Sequence, residues 1–288
     1  MPTPQPPLLQ YEKNIASQAG EDGVVEFALG KLPACDKWCV EFGAWDGKYC
    51  SNTYALIQQR DYTGVLIECD AERCARLSAT HAEKRIIALC RFVSFDGADT
   101  LDNILHGTPI PTDFDLLSVD IDGNDYHVWA ALNSYRPKLV VIEYNPSIPN
   151  GIDFVQPRDN AVAQGSSLAA LDKLAKSKQY RLIHATLLNA IFVDEKYFPL
   201  FGIENSDPAD FRADLSGVTQ LFQTYDGQIH LVGNRKMLWH EGAAMLPARM
   251  QAIPRMLRTY PWRFSAIQRL MWKAYHGWLK WTGRDEGK

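Results

Sequence analysis

Acidic side chains stand where the apolar runs of this sequence end. In VEFGAWDGKYCSNTYAL, residues 40–56, an apolar run reaches Glu41, and the glycines Gly43 and Gly47 then enclose Asp46. Later runs end in further polar residues: Glu68, Asp70, Ser94, Asp96, Asp120, Asp122, Asp125, Glu143 and Asn145. Carboxylates bind cations and hydroxyl groups and exchange protons, so these positions are candidates for binding and catalysis.

Short apolar runs alternate with helical patterns, and this alternation predicts a parallel α/β sheet. Predicted strands cover residues 38–43, 64–70, 85–93, 115–122, 137–145, 180–185 and 189–194, and predicted helices cover 51–60, 71–84, 125–134 and 167–177. The last two strands are too close for a crossover helix, so one of them should be antiparallel. We therefore predict an open, doubly wound, mostly parallel sheet with an antiparallel edge pair and a C-terminal helical extension.

Ligands of open α/β sheets bind beyond the carboxyl ends of the strands. The glycines after the first strand let the backbone approach a ligand, and Glu68 stands where an acid accepts hydrogen bonds from a ribose diol. Glu41 and Asp46 would repel a pyrophosphate but suit a positively charged sulfonium. This favours S-adenosylmethionine over NAD or ATP, and the alternative is a plain turn with incidental acids.

Four segments in order resemble a known family. They are SQAGEDGVVEF at residues 17–27, the loop VEFGAWDGKYCSNT, GVLIECD at 64–70 and FDLLSVDIDGNDYHVW at 114–129. Over residues 17–194 the chain is similar to the FkbM-like family of class I S-adenosylmethionine-dependent methyltransferases. The resemblance implies a Rossmann-like methyltransferase fold and methyl transfer to an oxygen, often of a sugar or polyketide. Asp122 and Asn124-Asp125 depart from many members, which leaves the acceptor open.

The resemblance also implies a set of cofactor contacts. By motif position, Glu41, Gly43 and Asp46 would face the methionine part and Glu68 the ribose. The complete predicted cofactor site comprises Gln18, Glu41, Gly43, Asp46, Gly47, Asn52, Glu68 and Asp96.

Oxygen-bearing side chains at neighbouring strand ends predict a site for a divalent cation, Mg²⁺ or Mn²⁺. They are Asp120, Asp122, Glu143 and Asn145. The pattern is similar to that of metal-assisted O-methyltransferases of the catechol type, in which the metal binds acceptor hydroxyls and lowers their pKa. Alternatively, Asp120 contacts the cofactor or the backbone, and Asn145-Pro146 only shapes a turn.

A hydroxyl acceptor has to lose a proton during transfer. His127, one helical turn past Gly123, is the predicted general base, with Asp120 and Asp122 as the other catalytic residues. Asp125 is an alternative base. A histidine early in a helix is also often just half-buried.

The end of the chain is basic and amphipathic. Residues 249–288 carry nine Lys or Arg against Asp285 and Glu286, a balance of +7, in a chain of net charge −4. Apolar residues recur at helical spacing: Phe264, Ile267, Met271, Ala274, Trp278 and Trp281. They predict a helix on an anionic membrane surface, or one packed on the domain or on a second subunit of a homo-oligomer. RNA binding is a third reading, but we expect no nucleic-acid partner.

Composition indicates a globular protein, since 46% of the 288 residues are hydrophobic. The chain has no apolar run of about 18 residues, and the opening MPTPQPPLLQ does not resemble a signal peptide. The six cysteines contain no CxxC and are expected to be reduced. We expect a cytoplasmic protein, peripheral on the inner face of the plasma membrane if the tail binds lipid.

These features predict four segments: a disordered or loosely attached lead-in (1–16), a methyltransferase domain (17–200), a lid or accessory segment (201–248) and a basic amphipathic helical tail (249–288). The leading function is O-methyl transfer to a sugar or glycan, such as a surface polysaccharide or a lipid-linked glycan. Asp120-Ile121-Asp122 is also a DxD motif, which suits a metal-dependent glycosyltransferase. A non-catalytic scaffold on the same fold is the third alternative.

Overall fold

A computed structural model describes residues 6–204, 207–212 and 214–283. Contacts divide the chain into two compact units, Met1–Leu215 and Ser216–Lys288. All the predicted site residues belong to the first unit, and the basic tail belongs to the second. The roles assigned to the lead-in, the lid and the tail stay predictions.

The first unit is built on one seven-stranded sheet. Its strands are β1 (Trp38–Phe42), β2 (Thr63–Glu68), β3 (Ile86–Cys90), β4 (Leu116–Val119), β5 (Leu139–Glu143), β6 (Tyr180–Ala185) and β7 (Asn189–Asp194). Their order is β3-β2-β1-β4-β5-β7-β6, in which the first five are parallel and β7 runs antiparallel to both neighbours. The predicted Rossmann-like methyltransferase fold with an antiparallel edge pair is therefore confirmed.

Helices cover both faces of the sheet. One face carries α1 (Glu21–Lys31), α2 (Tyr54–Gln59) and α3 (Ala71–Thr80), and the other carries α4 (Leu101–His106), α5 (Asp125–Ala131), α6 (Leu168–Ser177) and the short α7 (Pro208–Phe211). Alternate residues of β1 enter different cores: Val40 and Phe42 pack in one, and Cys39 in the other. Burial on both faces explains why these strands are apolar throughout.

The fourth strand is shorter than predicted because the chain turns directly after Val119. Asp125 accepts hydrogen bonds from the backbone N–H of Ile121 at 2.8 Å and of Gly123 at 2.9 Å. Asp122 has a left-handed backbone with φ of 56°. These contacts close a tight turn, so that Asp120 and Asp122 lie in a loop at the sheet edge.

The second unit is made of short elements and one longer helix. It contains the antiparallel pairs β8 (Thr219–Gln223) with β9 (Ile229–Gly233) and β10 (Lys236–Met237) with β11 (Ala243–Ala244), then α8 (Pro247–Met250) and α9 (Ala266–Trp281). A capping box between Ser265 and Gln268 fixes the start of α9. Within the described residues, none of the helices has the length and hydropathy needed to cross a membrane.

Candidate cofactor site and acidic cluster

Strand register brings the predicted site residues to one edge of the sheet. Phe42 of β1 pairs with Ile67 of β2 and Val119 of β4, and Val119 pairs with Ile142 of β5. The next residue on each strand therefore lies in one row at the carboxyl edge. These residues are Gly43, Glu68, Asp120 and Glu143. The row spans four adjacent strands. Gly43 and Glu68 belong to the predicted cofactor site, and Asp120 and Glu143 belong to the predicted metal site.

The loop after β1 has a backbone that only particular residues adopt. Gly43 has φ of 75°, and a Cβ there would lie 1.7 Å from the backbone oxygen of Asp120. Trp45 and Cys50 also have positive φ, 49° and 56°. Such conformations cost free energy and persist where the surrounding structure enforces them, often at ligand sites. The glycine is thus required for the close approach of β1 and β4.

Glu41 points into the protein and organises the loop. Its carboxylate, 4% exposed, accepts hydrogen bonds from Ser51 Oγ at 2.6 Å, Asn52 N at 2.7 Å and Thr53 Oγ1 at 2.6 Å. Burial raises the pKa of Glu41, although these hydrogen bonds oppose the shift. Because residues 51–53 bind Glu41, α2 begins at Tyr54 instead of residue 51. Contact of Glu41 with a cofactor stays a prediction.

Asn52 contributes a buried acceptor next to this loop. Its Nδ2 donates to Ser118 Oγ at 3.0 Å. Its Oδ1 is buried and has no hydrogen-bond partner in the described part of the chain. A buried orphan acceptor is rare in folded proteins, and a ligand donor would satisfy it.

Glu68 joins the ends of β1 and β2. Its Oε2 accepts from Trp45 N at 2.9 Å, and its Oε1 accepts from Asp70 N at 2.9 Å. The Cys69 thiol also donates to Oε1 at 3.6 Å, so the lone pair left for a ligand hydroxyl is on Oε2. Its position after β2 is the one expected for a ribose-binding acid.

Asp46 caps its own turn. Its Oδ1 accepts from Lys48 N at 3.0 Å and Tyr49 N at 2.8 Å. Burial raises the pKa of Asp46, but the hydrogen bonds from Tyr49 and Lys48 outweigh it, and the net pKa is lowered. Asp46 is therefore a carboxylate at neutral pH, as its predicted role requires.

His81 is a site-supporting residue that the sequence analysis missed. Its Nε2 donates to the backbone oxygen of Gly47 at 2.8 Å, and its Nδ1 accepts from Gln58 Nε2 at 3.1 Å. The protonated nitrogen is assigned as Nε2 because the backbone carbonyl oxygen of Gly47 can only accept a hydrogen bond. Burial lowers the pKa of His81, against the opposing effect of the bond to Gly47. No sequence pattern links His81 to a loop so far from it along the chain.

The acidic residues of the SQAGED segment, residues 17–22, make structural hydrogen bonds. Asp22 Oδ2 accepts from the backbone N–H of Ile15, Ala16 and Ser17 at 2.7–2.8 Å. Glu21 Oε1 accepts from Thr186 Oγ1 at 2.6 Å, which ties the segment to the β6–β7 connection. The Gln18 side chain contacts the Cys50 thiol, so this predicted residue lies beside the loop after β1.

Three carboxylates of the predicted metal site come together. One oxygen from each of Asp120, Asp122 and Glu143 lies within 4.8 Å of the others. Burial raises the pKa of Glu143 to about 10, with further repulsion from Asp120 and the two neighbouring aspartates. Burial likewise raises the pKa of Asp120 well above its usual range, and Asp125 adds to the shift. A bound cation would relieve this repulsion.

Asn145, the fourth predicted ligand, has its side chain engaged in a turn. Its Oδ1 accepts from Ser147 N at 2.9 Å and Ser147 Oγ at 2.6 Å, and its Nδ2 donates to Gln164 O at 2.8 Å. These contacts agree with the alternative in which Asn145-Pro146 only shapes a turn. Metal ligation by Asn145 would require Ser147 to give up its bonds.

A strap, defined here as residues 146–166 between β5 and α6, lies along the same edge. His127 Nε2 donates to Gln156 O at 2.9 Å, and Gln156 Nε2 donates to Asn124 Oδ1 at 2.8 Å. Arg158 donates to Phe95 O at 3.1 Å, beyond β3. The strap thus connects the ends of β3, β4 and β5, and His127 anchors it through one ring nitrogen.

The remaining predicted residue, Asp96, lies near the far end of the strap. It is exposed, and Ser94 Oγ donates to its Oδ1 at 3.5 Å. Asn160 of the strap in turn donates to Ser94 Oγ at 3.2 Å. Sequence reasoning did not find the strap, because its contacts are made by scattered polar residues without a repeating pattern.

No family model matches the chain, and no curated protein matches it in sequence. Solved structures with a similar fold include magnesium protoporphyrin IX methyltransferase from Synechocystis with bound S-adenosylmethionine, at 10% identity over 60% of this chain and 76% of that one, with a TM-score of 0.38. The N-terminal domain of EvdMO1 with S-adenosylhomocysteine and D-fucose is 12% identical over 60% and 82%, with a TM-score of 0.40.

An S-adenosylmethionine-dependent methyltransferase from Aquifex aeolicus is 9% identical over 65% of this chain and 92% of that one, with a TM-score of 0.37. The strand order and the row of residues at the carboxyl edge are properties of this chain itself, and they define a Rossmann-like methyltransferase fold with one candidate site at that edge.

Proposed function

We propose that the protein is an S-adenosylmethionine-dependent methyltransferase that acts on a hydroxyl of a sugar or glycan. The observation that carries the proposal is the row of Gly43, Glu68, Asp120 and Glu143 across adjacent strand ends. A glycine turn after β1 and an acid after β2 are what an adenosyl cofactor needs in such a sheet.

The residues around the first loop fit this cofactor. Gly43 leaves no side chain between β1 and β4, and the unpartnered Asn52 Oδ1 offers a buried acceptor. Glu68 would accept hydrogen bonds from the ribose hydroxyls, while Glu41 and His81 hold the loop in shape. When bound, the cofactor supplies a methyl group on a positively charged sulfur, which the carboxylates of this edge would attract.

The acceptor side is proposed to be the acidic cluster under the strap. A divalent cation held by Asp120, Asp122 and Glu143 would bind neighbouring hydroxyls of a sugar, orient them and lower their pKa. Asp122 is the exposed member, so it is the carboxylate best placed to meet an entering acceptor or to take up its proton. His127 would act as a base only through Nδ1, because Nε2 donates to Gln156.

The same three carboxylates would also serve a glycosyltransferase that binds a metal and a nucleotide diphosphate. Two features favour the methyltransferase. Asp46 occupies the loop where a diphosphate would need backbone N–H groups and cations, and its carboxylate would repel the phosphates. In addition, a glycosyltransferase does not need the hydrogen bond from Trp45 N to Glu68, which joins the loop after β1 to the end of β2.

Calorimetric titration with S-adenosylhomocysteine tests the cofactor. We expect saturable binding by the full chain and a loss of at least about ten-fold in affinity for Glu68→Ala. Glu72→Ala is the matched control, since Glu72 is an exposed acid on the adjacent α3 with an 86% exposed side chain. Binding of UDP- or GDP-sugars with Mn²⁺, and not of S-adenosylhomocysteine, would assign the glycosyltransferase instead. If neither binds, the scaffold alternative holds.

A further inference from the structure

Helix α9 exposes a continuous apolar stripe. Ile267 and Leu270 are each 71% exposed, and Trp281 is 84% exposed. With Ala274 and Trp278 they recur at spacings of three and four, so they share one side of the helix. Leu270 joins this side, whereas Phe264 and Met271, which the spacing alone also assigned to it, are buried and half-buried. An apolar stripe with this exposure is a candidate docking surface.

The other side of α9 packs against its own unit. Trp272 lies against Phe264 with ring centroids 6.1 Å apart, and the hydroxyl of Tyr275 donates to the backbone oxygen of Ala252. Gln268 Nε2 also donates to Met256 O at 3.0 Å. The orientation of the helix within the unit is therefore fixed. The stripe borders the packed side at Trp278, whose ring lies 5.9 Å from that of Tyr275, and Ile267, Leu270 and Trp281 lie further round the helix and stay exposed.

A basic stripe runs beside the apolar one. Arg269, Lys273 and Lys280 are exposed on α9, and the segment before the helix adds Arg255 and Arg263. Between residues 249 and 283 the sequence contains no Asp or Glu. This part of the surface therefore carries positive charge with no acidic residue of the same segment to neutralise it.

Further large apolar side chains lie just before α9. Trp262 is 87% exposed, Met256 is 59% exposed and Tyr260 is 44% exposed. Tryptophan and tyrosine favour the boundary between water and lipid, since each has an apolar ring and a polar atom. Together with α9 they extend the apolar surface of the unit.

We propose that α9 and residues 255–263 bind an anionic membrane surface, with α9 lying in the plane of the interface. Acidic lipid headgroups complement the basic stripe, and the apolar stripe enters the acyl boundary. A second copy of the chain fits less well, because an isologous contact over this face would bring two basic stripes together. Single-stranded RNA would leave the aliphatic pair Ile267 and Leu270 without a role. The proposal does not depend on the proposed catalytic function.

Vesicle flotation of the full chain tests the proposal. The probes are vesicles of phosphatidylcholine alone and of phosphatidylcholine with about one third phosphatidylserine, at low and at high salt. We expect partition to the anionic vesicles only, with loss at high salt. Brominated phosphatidylcholine in the anionic vesicles should also quench tryptophan fluorescence, and a variant with Trp262→Phe, Trp278→Phe and Trp281→Phe should lose most of that quenching.

Variants separate the two stripes. One double variant alters the apolar stripe (Ile267→Gln with Leu270→Gln), and a second alters the basic stripe (Arg269→Gln with Lys273→Gln). Each should weaken partition to the anionic vesicles at least about ten-fold while the melting temperature stays near that of the parent. The controls are Leu200→Gln and Lys173→Gln, which alter a 46% exposed leucine and an exposed lysine of the first unit. Both should bind the anionic vesicles as the parent does.

Equal partition to neutral and anionic vesicles, or unaltered binding by both double variants, would overturn the proposal. The proposal would also be overturned if sedimentation showed a dimer that the variant Ile267→Gln with Leu270→Gln converts to a monomer, and if the parent did not bind vesicles. Tighter binding to a single-stranded oligonucleotide than to the anionic vesicles would assign the surface to RNA.

Discussion

His81 donates a hydrogen bond from Nε2 to the backbone oxygen of Gly47 and stands 2.8 Å from where a Cβ at position 47 would lie. The histidine from the end of α3 and the glycine of the β1 loop therefore fit each other in both hydrogen bonding and shape. Gly47 also has φ of 78°, which side chains rarely adopt. This pair fixes the second half of the loop, as Glu41 fixes the residues that follow it.

Replacing Gly47 by alanine should disturb the loop more than it disturbs the fold. We expect Gly47→Ala to lower the free energy of unfolding by about 1–3 kcal/mol through the strained backbone and the contact with His81. S-adenosylhomocysteine affinity, measured by calorimetry, should fall in the same variant.

Gly151→Ala is the matched control, because a Cβ at Gly151 meets no atom within 4 Å. It should leave both quantities within experimental error. Full cofactor affinity in Gly47→Ala would show that the loop does not contact the ligand.

His81 should make stability depend on pH. Burial lowers the pKa of His81 in the folded state, so between about pH 6.5, the usual value, and that lower pKa the unfolded chain binds more protons. Stability from this residue is therefore present above about pH 6.5 and declines as the pH falls below it. The difference in unfolding free energy between the parent and His81→Gln should shrink from pH 7.5 to pH 5, measured by urea denaturation.

His106 provides the comparison for this pH series. It is exposed at the end of α4, so His106→Gln is the control for the substitution itself and is measured at the same pH values. A gap between the parent and His81→Gln that stays constant with pH would contradict a neutral, buried His81.

Sequence reasoning succeeded where apolar runs alone determine the structure. β6 and β7 match their predicted ranges, and β5 lies within its range, because strands buried on both faces need continuous apolar side chains. It failed at the end of β4, where Asp125 closes the turn with its own side chain. It also could not find His81 or the strap, since their contacts join segments distant in sequence and carry no periodic signal.

The function of acids was harder to predict than their location. Glu41 and Glu68 were both expected to face a ligand because both end apolar runs. In the structure both side chains are 4% exposed, but their partners differ: Glu41 accepts from Ser51, Asn52 and Thr53, and Glu68 accepts from the backbone N–H of Trp45 and Asp70. The partners of a buried acid depend on which segments the fold brings beside it, and the sequence pattern alone does not give them.

Glu41→Gln should destabilise the protein without changing side-chain size. The amide keeps one acceptor oxygen but brings a donor toward the backbone N–H of Asn52, or toward the hydroxyls of Ser51 and Thr53. We expect a loss of about 2–4 kcal/mol in unfolding free energy, since a buried, charge-assisted set of hydrogen bonds is broken. Urea denaturation of Glu41→Gln beside Glu72→Gln measures it, and a loss no larger than that of the exposed control would show that residues 51–53 hold without Glu41.

The acidic cluster should bind a divalent cation through Asp122. Asparagine tolerates the left-handed backbone that Asp122 adopts, with φ of 56°, so Asp122→Asn removes a charge and keeps the turn. We expect Mn²⁺ affinity, measured by calorimetry, to fall at least about ten-fold in this variant. Asp113→Asn, at an exposed aspartate before β4, should bind as the parent does. A parent protein that releases no heat with Mg²⁺ or Mn²⁺, and whose turnover survives EDTA, would remove the metal from the proposed mechanism.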